Sequence, residues 1–272
     1  GEAFSDQAGE PQALEVPCRL ADSPTSPLAL RSPLVGKVQK IYPLFSDVQA
    51  AELLRSLGTD ALAQAKAVAR LQADLERLRT ILKHWKNNVG DLEAQPGMAD
   101  VRQSRQQVAE RIEACWRRQS FVLDDQQVPV PGLVLDGLRV GALPNLAAEI
   151  RFDHVRQLSL KNMRLGDDVA YFLKCFKGLR RLNLDRNRLT RLPEYLSRMP
   201  ELNSLCLPHN QLALTEYTRR KLADMSTLYL LDLSHNPIES HLDVSNMRDL
   251  HTLLLEDAKL VEYAALAESA SS

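Results

Sequence analysis

The chain has 272 residues, enough for one large domain or two modest ones with a sizeable apolar core. Its 34 Lys and Arg residues balance 35 Asp and Glu residues, so no global charge would draw it to nucleic acid or to an anionic membrane. Aromatic residues make up only 5% of the chain, which predicts an aliphatic core.

The four cysteines are scattered and form no Cys-x-x-Cys pair, so we expect reduced thiols rather than disulfides or a zinc site. No stretch has the length and apolar character of a membrane span, and the acidic start lacks the basic and apolar regions of a signal peptide. Because the chain begins without Met and ends in Ser-Ala-Ser-Ser, we expect it to be part of a longer protein.

Residues 1–33 are rich in Pro and Ser, a composition that predicts a flexible linker. After it, Ser46 and Gln49 have the spacing of a capping box, which predicts a short helix that ends at Gly58. Thr59 is expected to cap a longer helix.

Two stripes of apolar residues at helical spacing follow, separated by a loop with Gly90, Pro96 and Gly97. The stripes consist of Leu71, Leu75, Leu78, Leu82 and Trp85, and of Val101, Val108, Ile112 and Cys115. They predict an antiparallel helical hairpin within a helical cap domain at residues 34–120. A coiled coil is the rival interpretation, but the first stripe spans only about two heptads. The many arginines of these helices are interpreted as a solvated face rather than a membrane or nucleic-acid surface.

From residue 130 onward the chain repeats a pattern of the form L-x-x-L-x-L-x-x-N-x-L at spacings of 22 to 26 residues. The six copies begin at Val130, Val155, Leu179, Leu202, Leu228 and Leu250. Such a period is typical of leucine-rich repeats, in which each turn contributes a short strand and stacked turns share one aliphatic core. The sequence therefore predicts an α/β leucine-rich-repeat solenoid of about six repeats at residues 130–262, capped by the helical hairpin and followed by a tail at 263–272.

In the three full copies the template Asn is Asn187, Asn210 and Asn236, and leucine-rich repeats in general use it as an interior hydrogen-bonding ladder. The residues between the apolar positions of each strand face outward, on the concave surface where solenoids usually bind. The first half of this surface is basic and the second half is acidic and partly apolar, which favours binding of a protein partner by complementary charge. The predicted partner-binding residues are Arg156, Lys161, Arg180, Arg181, Asn183, Asp185, Arg186, His209, Tyr229, Asp232, His235, Leu254 and Glu256.

Two alternatives place chemistry on this surface. His209 and His235 occupy the same template position in neighbouring turns, and Cys206 lies nearby on a strand, which permits an enzyme site. The only further candidate ligand in that template column is Asp257, two turns away from His209, and no base adjoins Cys206 in the sequence. The sequence therefore predicts surface histidines, an ordinary thiol, no metal, no cofactor and no catalytic residue.

Several segments resemble one family. Arg31-Ser-Pro-Leu-Val-Gly-Lys-Val-Gln-Lys-Ile-Tyr-Pro, a helical hairpin that ends near Cys115-Trp-Arg-Arg-Gln, Leu133-Val-Leu-Asp-Gly-Leu and Leu158-Ser-Leu-Lys-Asn-Met are similar to the middle of NEL-type (novel E3 ligase) ubiquitin ligases of Gram-negative bacteria. The resemblance covers roughly residues 31–262. It implies a repeat domain that selects a protein substrate, here a host protein, and that can restrain a C-terminal catalytic domain.

The resemblance also implies a catalytic Cys followed two positions later by Asp, and this chain has none. Cys18, Cys115, Cys175 and Cys206 are followed at that distance by Leu20, Arg117, Lys177 and Pro208. The resemblance therefore implies that a ubiquitin-conjugating enzyme binds only through a catalytic domain outside this sequence. Secretion or injection into the host cytoplasm is likewise implied only by the resemblance. A structural spacer within a large bacterial toxin is the alternative function.

Overall fold

The structure is a computed structural model that describes Pro27, residues 32–238 and residues 242–258. Nearly all of the predicted linker, the predicted tail and the end of the sixth repeat lie outside these residues. By its internal contacts the chain divides into two compact units, residues 1–77 and 78–272. The boundaries inferred from the sequence, at 34–120 and 130–262, stay predictions.

The first unit contains helix α1 (Pro33–Ile41), helix α2 (Asp47–Leu57) and the beginning of α3 (Ala61–Asn87). The predicted capping box of α2 is confirmed, because the Ser46 hydroxyl accepts from the Gln49 N–H at 3.2 Å and Gln49 Oε1 accepts from the Ser46 N–H at 2.9 Å. Helix α1 has no counterpart in the sequence prediction.

The cap of α3 differs from the expected one. The Asp60 carboxylate, rather than Thr59, accepts a hydrogen bond from the Ala63 backbone N–H at 2.8 Å. Asp directly before the first helical residue satisfies an otherwise unpaired N–H group of the first turn. The prediction for Thr59 is therefore wrong by one residue.

In the second unit α3 is followed by a 3-10 helix (Gly90–Ala94) and by helix α4 (Val101–Trp116). Two side-chain contacts show the relative direction of α3 and α4. Arg79 Nε lies 3.0 Å from Glu113 Oε1, and Lys86 Nζ lies 2.8 Å from Gln106 Oε1. Because the later residue of α3 meets the earlier residue of α4, the two helices are antiparallel, and the predicted hairpin is confirmed.

The second unit also contains a sheet of seven strands among the described residues, in sequence order. The strands are β1 (Phe121–Leu123), β2 (Pro129–Val134), β3 (Gln157–Ser159), β4 (Arg181–Asn183), β5 (Ser204–Cys206), β6 (Leu230–Asp232) and β7 (Thr252–Leu254). Strand β1 pairs antiparallel with β2, and all the following pairs are parallel. The connections carry helix α5 (Val169–Leu173), a 3-10 helix (Glu194–Arg198) and helix α6 (Glu216–Ala223). This is a leucine-rich-repeat solenoid, as predicted.

The core follows from the register of the strands. Each strand from β2 to β6 contributes one buried leucine, and these leucines pair in register with one another: Leu133, Leu158, Leu182, Leu205 and Leu231. Side chains in a strand alternate between its two faces, so the residues on either side of each leucine point away from the core. Each turn thus adds one layer of leucine to a shared core and has too little apolar surface to fold alone.

The asparagine ladder is confirmed. Asn210 Nδ2 donates to the carbonyls of Leu184 and Leu207, and its Oδ1 accepts from the Leu189 N–H at 3.0 Å. Asn187 and Asn236 make equivalent bonds in the turns on either side, and all three side chains are buried. The ladder satisfies backbone groups that the turns would otherwise bury unpaired.

The hairpin of β1 and β2 was not predicted from the sequence. Its first strand, β1, is only three residues long. Gly132 permits it, because a Cβ atom at that position would lie 2.4 Å from a methyl carbon of Val122. Helix α4 packs beside β2, and the Arg111 guanidinium donates to the Val134 carbonyl at 3.0 Å. Helix α4 of the hairpin therefore lies against the first repeat.

Among the helices that the structure describes, none combines the length and apolar character needed to cross a membrane.

Candidate partner-binding surface

The outward residues of the strands and of the positions beside them form one surface, which we call the strand face. Its outward strand positions are Gln157, Ser159, Arg181, Asn183, Ser204, Cys206, Leu230, Asp232, Thr252 and Leu254. Parallel pairing aligns the equivalent residues of neighbouring turns in columns about 4.8 Å apart. The sheet thus arranges the predicted binding residues in rows across the turns.

The basic half of the strand face is less positive than its sequence indicates. Most of its cations lie beside a carboxylate: Arg156 with Glu201 at 3.7 Å, Lys161 with Asp136 at 3.9 Å, Arg186 with Asp185 at 2.7 Å, and Arg181 with Asp125. Exposed pairs of this kind contribute only about 0 to 1 kcal/mol, because water competes for both ions. A partner carboxylate can therefore replace such an internal one at little cost.

Arg156 has a structural role besides its charge. Its Nη1 donates to the backbone carbonyls of Asp153 at 3.0 Å and of Gly178 at 2.9 Å. A Cβ atom on Gly178 would lie 2.1 Å from that nitrogen, so the glycine makes room for the guanidinium. These bonds tie Arg156 to two turns of its own chain, which leaves it less able to reach a partner.

Arg180 and Tyr229 remain exposed in the row directly before the strands. Among the described residues, no hydrogen bond or ion pair engages the exposed Arg180 side chain, and Tyr229 is 52% exposed. Tyr229 is also held in place, because its ring stacks on the His251 ring with centroids 4.8 Å apart. Two strand spacings separate Tyr229 from Arg180, about 10 Å. Tyr and Arg are the residues that most often dominate binding energy at protein interfaces.

The acidic half is held by local hydrogen bonds. Asp232 Oδ1 accepts from the Ser234 N–H at 3.0 Å, and the Ser234 hydroxyl accepts from the Glu256 N–H at 3.1 Å. Leu254 is 44% exposed beside them, on the last described strand. In the basic half Asn183 Oδ1 accepts from the Asp185 N–H in the same way. These bonds fix the backbone rather than neutralise the acidic side chains.

His209 and His235 are close, as the sequence predicts, with parallel rings and centroids 4.2 Å apart. Both have positive φ, 53° and 57°, and so do the residues at the same position of other turns, such as Arg186 and Asp257. Among residues with a side chain, Asn, Asp and His adopt this left-handed conformation most readily. The shape of the turn therefore explains the two histidines without a metal or an acid–base role.

Cys206 is poorly suited to be a nucleophile. Burial, and then the negative charge of Asp232, raise the pKa of the Cys206 thiol above its ordinary value. A raised pKa keeps the sulfur as a thiol, whereas nucleophilic cysteines are thiolates in electropositive surroundings. Within residues 32–238 and 242–258, no group of three or more His, Cys, Asp or Glu side chains is arranged to hold a metal ion. The geometry therefore does not favour an enzyme site at Cys206, His209 and His235.

Sequence reasoning missed the carboxylates that face the basic half. Asp125 lies on the unpredicted β1–β2 hairpin, and Glu201 belongs to a connection between strands. Asp136 was visible, since it occupies the same template column as Lys161 one turn earlier. His251 was within the repeat pattern, but its stacking on Tyr229 depends on the strand register.

No protein-family model matches the chain, and no curated protein matches it. Among solved structures the chain is similar to InlP of Listeria monocytogenes, with 23% identity and a TM-score of 0.38 over 46% of this chain and 33% of that one. The similarity therefore spans about a third of the length of InlP. The leucine-rich-repeat domain of the type III effector XopL is 16% identical, with a TM-score of 0.41 over 69% of this chain and 72% of that one. The leucine-rich-repeat ectodomain of the receptor kinase SOBIR1 of Arabidopsis thaliana is 17% identical, with a TM-score of 0.39 over 60% of this chain and 95% of that one.

Proposed function

We propose that the strand face binds a protein partner, and that Arg180, Arg181 and Tyr229 supply the centre of the contact. The observation that carries this proposal is an exposed, stacked tyrosine in the same row as an exposed arginine. A tyrosine already held by His251 loses little conformational entropy when a partner covers it.

The contact between Arg181 and Asp125 supports the same proposal from the electrostatic side. Asp125 is 83% exposed at the side chain, at the tip of the β1–β2 hairpin. Asp125 is an example of the group to which this guanidinium donates, a carboxylate on a short protruding segment. The partner would present acidic groups to Arg180 and Arg181 and an apolar group to Tyr229 and Leu254.

We further propose that this chain is the substrate-binding and regulatory part of a bacterial NEL-type ubiquitin ligase, that the substrate is a host protein, and that the parent protein is secreted or injected. The support is the sequence resemblance over roughly residues 31–262. In that case the gene continues beyond residue 272 into a helical domain with a Cys-x-Asp motif. A continuation without such a motif would remove the ligase assignment and leave the recognition function intact.

The experiment for the recognition function is a pull-down from host-cell lysate and from bacterial lysate. The bait is this chain, next to an Arg180→Glu/Arg181→Glu variant and a Tyr229→Ala variant. A matched charge control is Arg198→Glu/Arg220→Glu, since both arginines are exposed on connecting helices outside the strand face. We expect a partner that the parent chain and the control retain and that both strand-face variants lose.

Loss of the partner in the control as well would show a general charge effect and would contradict the assignment to the strand face. If no bait, including the parent chain, retained a partner, the result would favour the alternative that this chain is a structural spacer.

A further inference from the structure

Three arginines occupy one template position in consecutive turns, directly before the last apolar residue of each repeat. They are Arg139, Arg164 and Arg188, and we call them the arginine column. They follow their strands in the chain and are not part of the strand face. The protein-binding function proposed above makes no use of them.

Arg164 and Arg188 line a cavity of about 450 Å³. The other lining residues are Gln95, Pro96, Met98, Gly141 and Met163. The volume lies within the range of pockets for small molecules, roughly 300 to 1,000 Å³. The described lining contains two cations, one amide and apolar surface, but no carboxylate.

The loop before α4 is shaped around the Arg164 guanidinium. Arg164 Nη1 donates to the Pro96 carbonyl at 3.4 Å, and a Cβ atom on Gly97 would lie 2.9 Å from the same nitrogen. Gly97 has a φ of 78°, which also favours glycine. The guanidinium is thus held in the lining of the cavity, and donors remain for a ligand because an arginine carries five.

The positive charge of the column has no counterpart among the described residues. None of the three arginines forms an ion pair there, and the Arg139 guanidinium is bonded to the carbonyl and the side chain of Asn162. Burial, and then the positive charges of Arg164 and Arg188, lower the pKa of Arg139. Like charges this close repel one another, and an anion between them would relieve that repulsion.

We propose that this cavity is a binding site for a small phosphate monoester, with Arg164 and Arg188 holding the phosphate group. A planar guanidinium binds two phosphate oxygens at once, so two arginines can satisfy most of a dianionic phosphate. Arg139 adds positive charge next to them. The cavity is much larger than a phosphate ion, and Gln95, Met98 and Met163 would contact the organic part of the ligand.

The test is isothermal titration of the chain with ribose 5-phosphate at constant ionic strength. Ribose serves as the uncharged control and inorganic phosphate as the control without an organic part. We expect saturable binding of ribose 5-phosphate, weaker binding of inorganic phosphate and no binding of ribose. Inorganic phosphate that bound as tightly as the ester would refute the assignment to a phosphate monoester.

Arg164→Gln/Arg188→Gln should weaken binding of ribose 5-phosphate at least tenfold, equivalent to about 1.4 kcal/mol. The matched control Arg198→Gln/Arg220→Gln removes the same charge outside the cavity and should bind like the parent chain. Because Arg164 packs against Gly97, its replacement could also disturb the fold, so Arg188→Gln alone is a second variant that changes only an exposed side chain. Absence of saturable binding by the parent chain, or equal binding by the double variant and its control, would overturn the proposal.

Discussion

The asparagine ladder allows a quantitative prediction, because Asn187 accepts from one more backbone N–H group than Asn210 and Asn236 do. Asn210 Oδ1 accepts from one N–H group, that of Leu189. Asn210 Nδ2 donates to the carbonyls of Leu184, Leu207 and Pro208, and the first two also accept from the ladder residues Asn187 and Asn236. Replacement of Asn210 by Ala therefore leaves one buried N–H without its side-chain partner and three carbonyls with a partner fewer.

Asn187 satisfies more backbone N–H groups than Asn210 does. Its Oδ1 accepts from the N–H groups of both Met163 at 3.2 Å and Leu165 at 2.9 Å. An unpaired buried donor costs about 1 to 3 kcal/mol. We expect Asn210→Ala to lower the free energy of unfolding by about 2 to 3 kcal/mol and Asn187→Ala by about 3 to 5 kcal/mol.

The assay is urea unfolding followed by circular dichroism, with the slope of the transition compared among variants. Asn203→Ala is the matched control, since Asn203 is exposed in the same repeat as Asn210 and should cost less than about 0.5 kcal/mol. Equal effects of Asn203→Ala and Asn210→Ala, or a smaller effect of Asn187→Ala than of Asn210→Ala, would refute this reasoning.

Two further predictions concern buried polar side chains of the second unit. Burial lowers the pKa of His154 from 6.5 to about 4, and its Nε2 is bonded to the Cys115 carbonyl at 2.8 Å. Because the unfolded chain binds this proton more readily than the folded chain, the free energy of unfolding should fall as the pH drops from 6.5 towards 4. In urea titrations, His154→Gln should lose less of its free energy of unfolding between pH 7 and pH 5 than the parent chain does. Arg105 is 5% exposed, donates to the Val140 carbonyl and stacks on the Trp85 ring. Arg105→Met should therefore lower the free energy of unfolding in urea by about 2 to 4 kcal/mol, and a change near zero would show that the guanidinium is dispensable.

The sequence alone determined the features that repeat or that depend on neighbouring residues. The solenoid, the ladder of Asn187, Asn210 and Asn236 and the capping box at Ser46 all follow from local spacing. A repeated pattern is informative because every turn solves the same packing problem with the same residues. The closeness of His209 and His235 was predictable for the same reason, since equivalent positions in adjacent turns must lie side by side.

Only the tertiary structure decided what meets across elements that are far apart in the chain. The contact of Asp125 with Arg181 joins an unpredicted hairpin to the third repeat, and the cavity at Arg164 includes the loop before α4. No spacing rule links these residues, because their approach depends on how the turns stack and where the loops return. The charges of the strand face divide in the same way. The sequence shows which strands carry basic and which carry acidic residues, but only the folded chain shows that carboxylates of other segments, such as Asp125 and Glu201, neutralise the arginines.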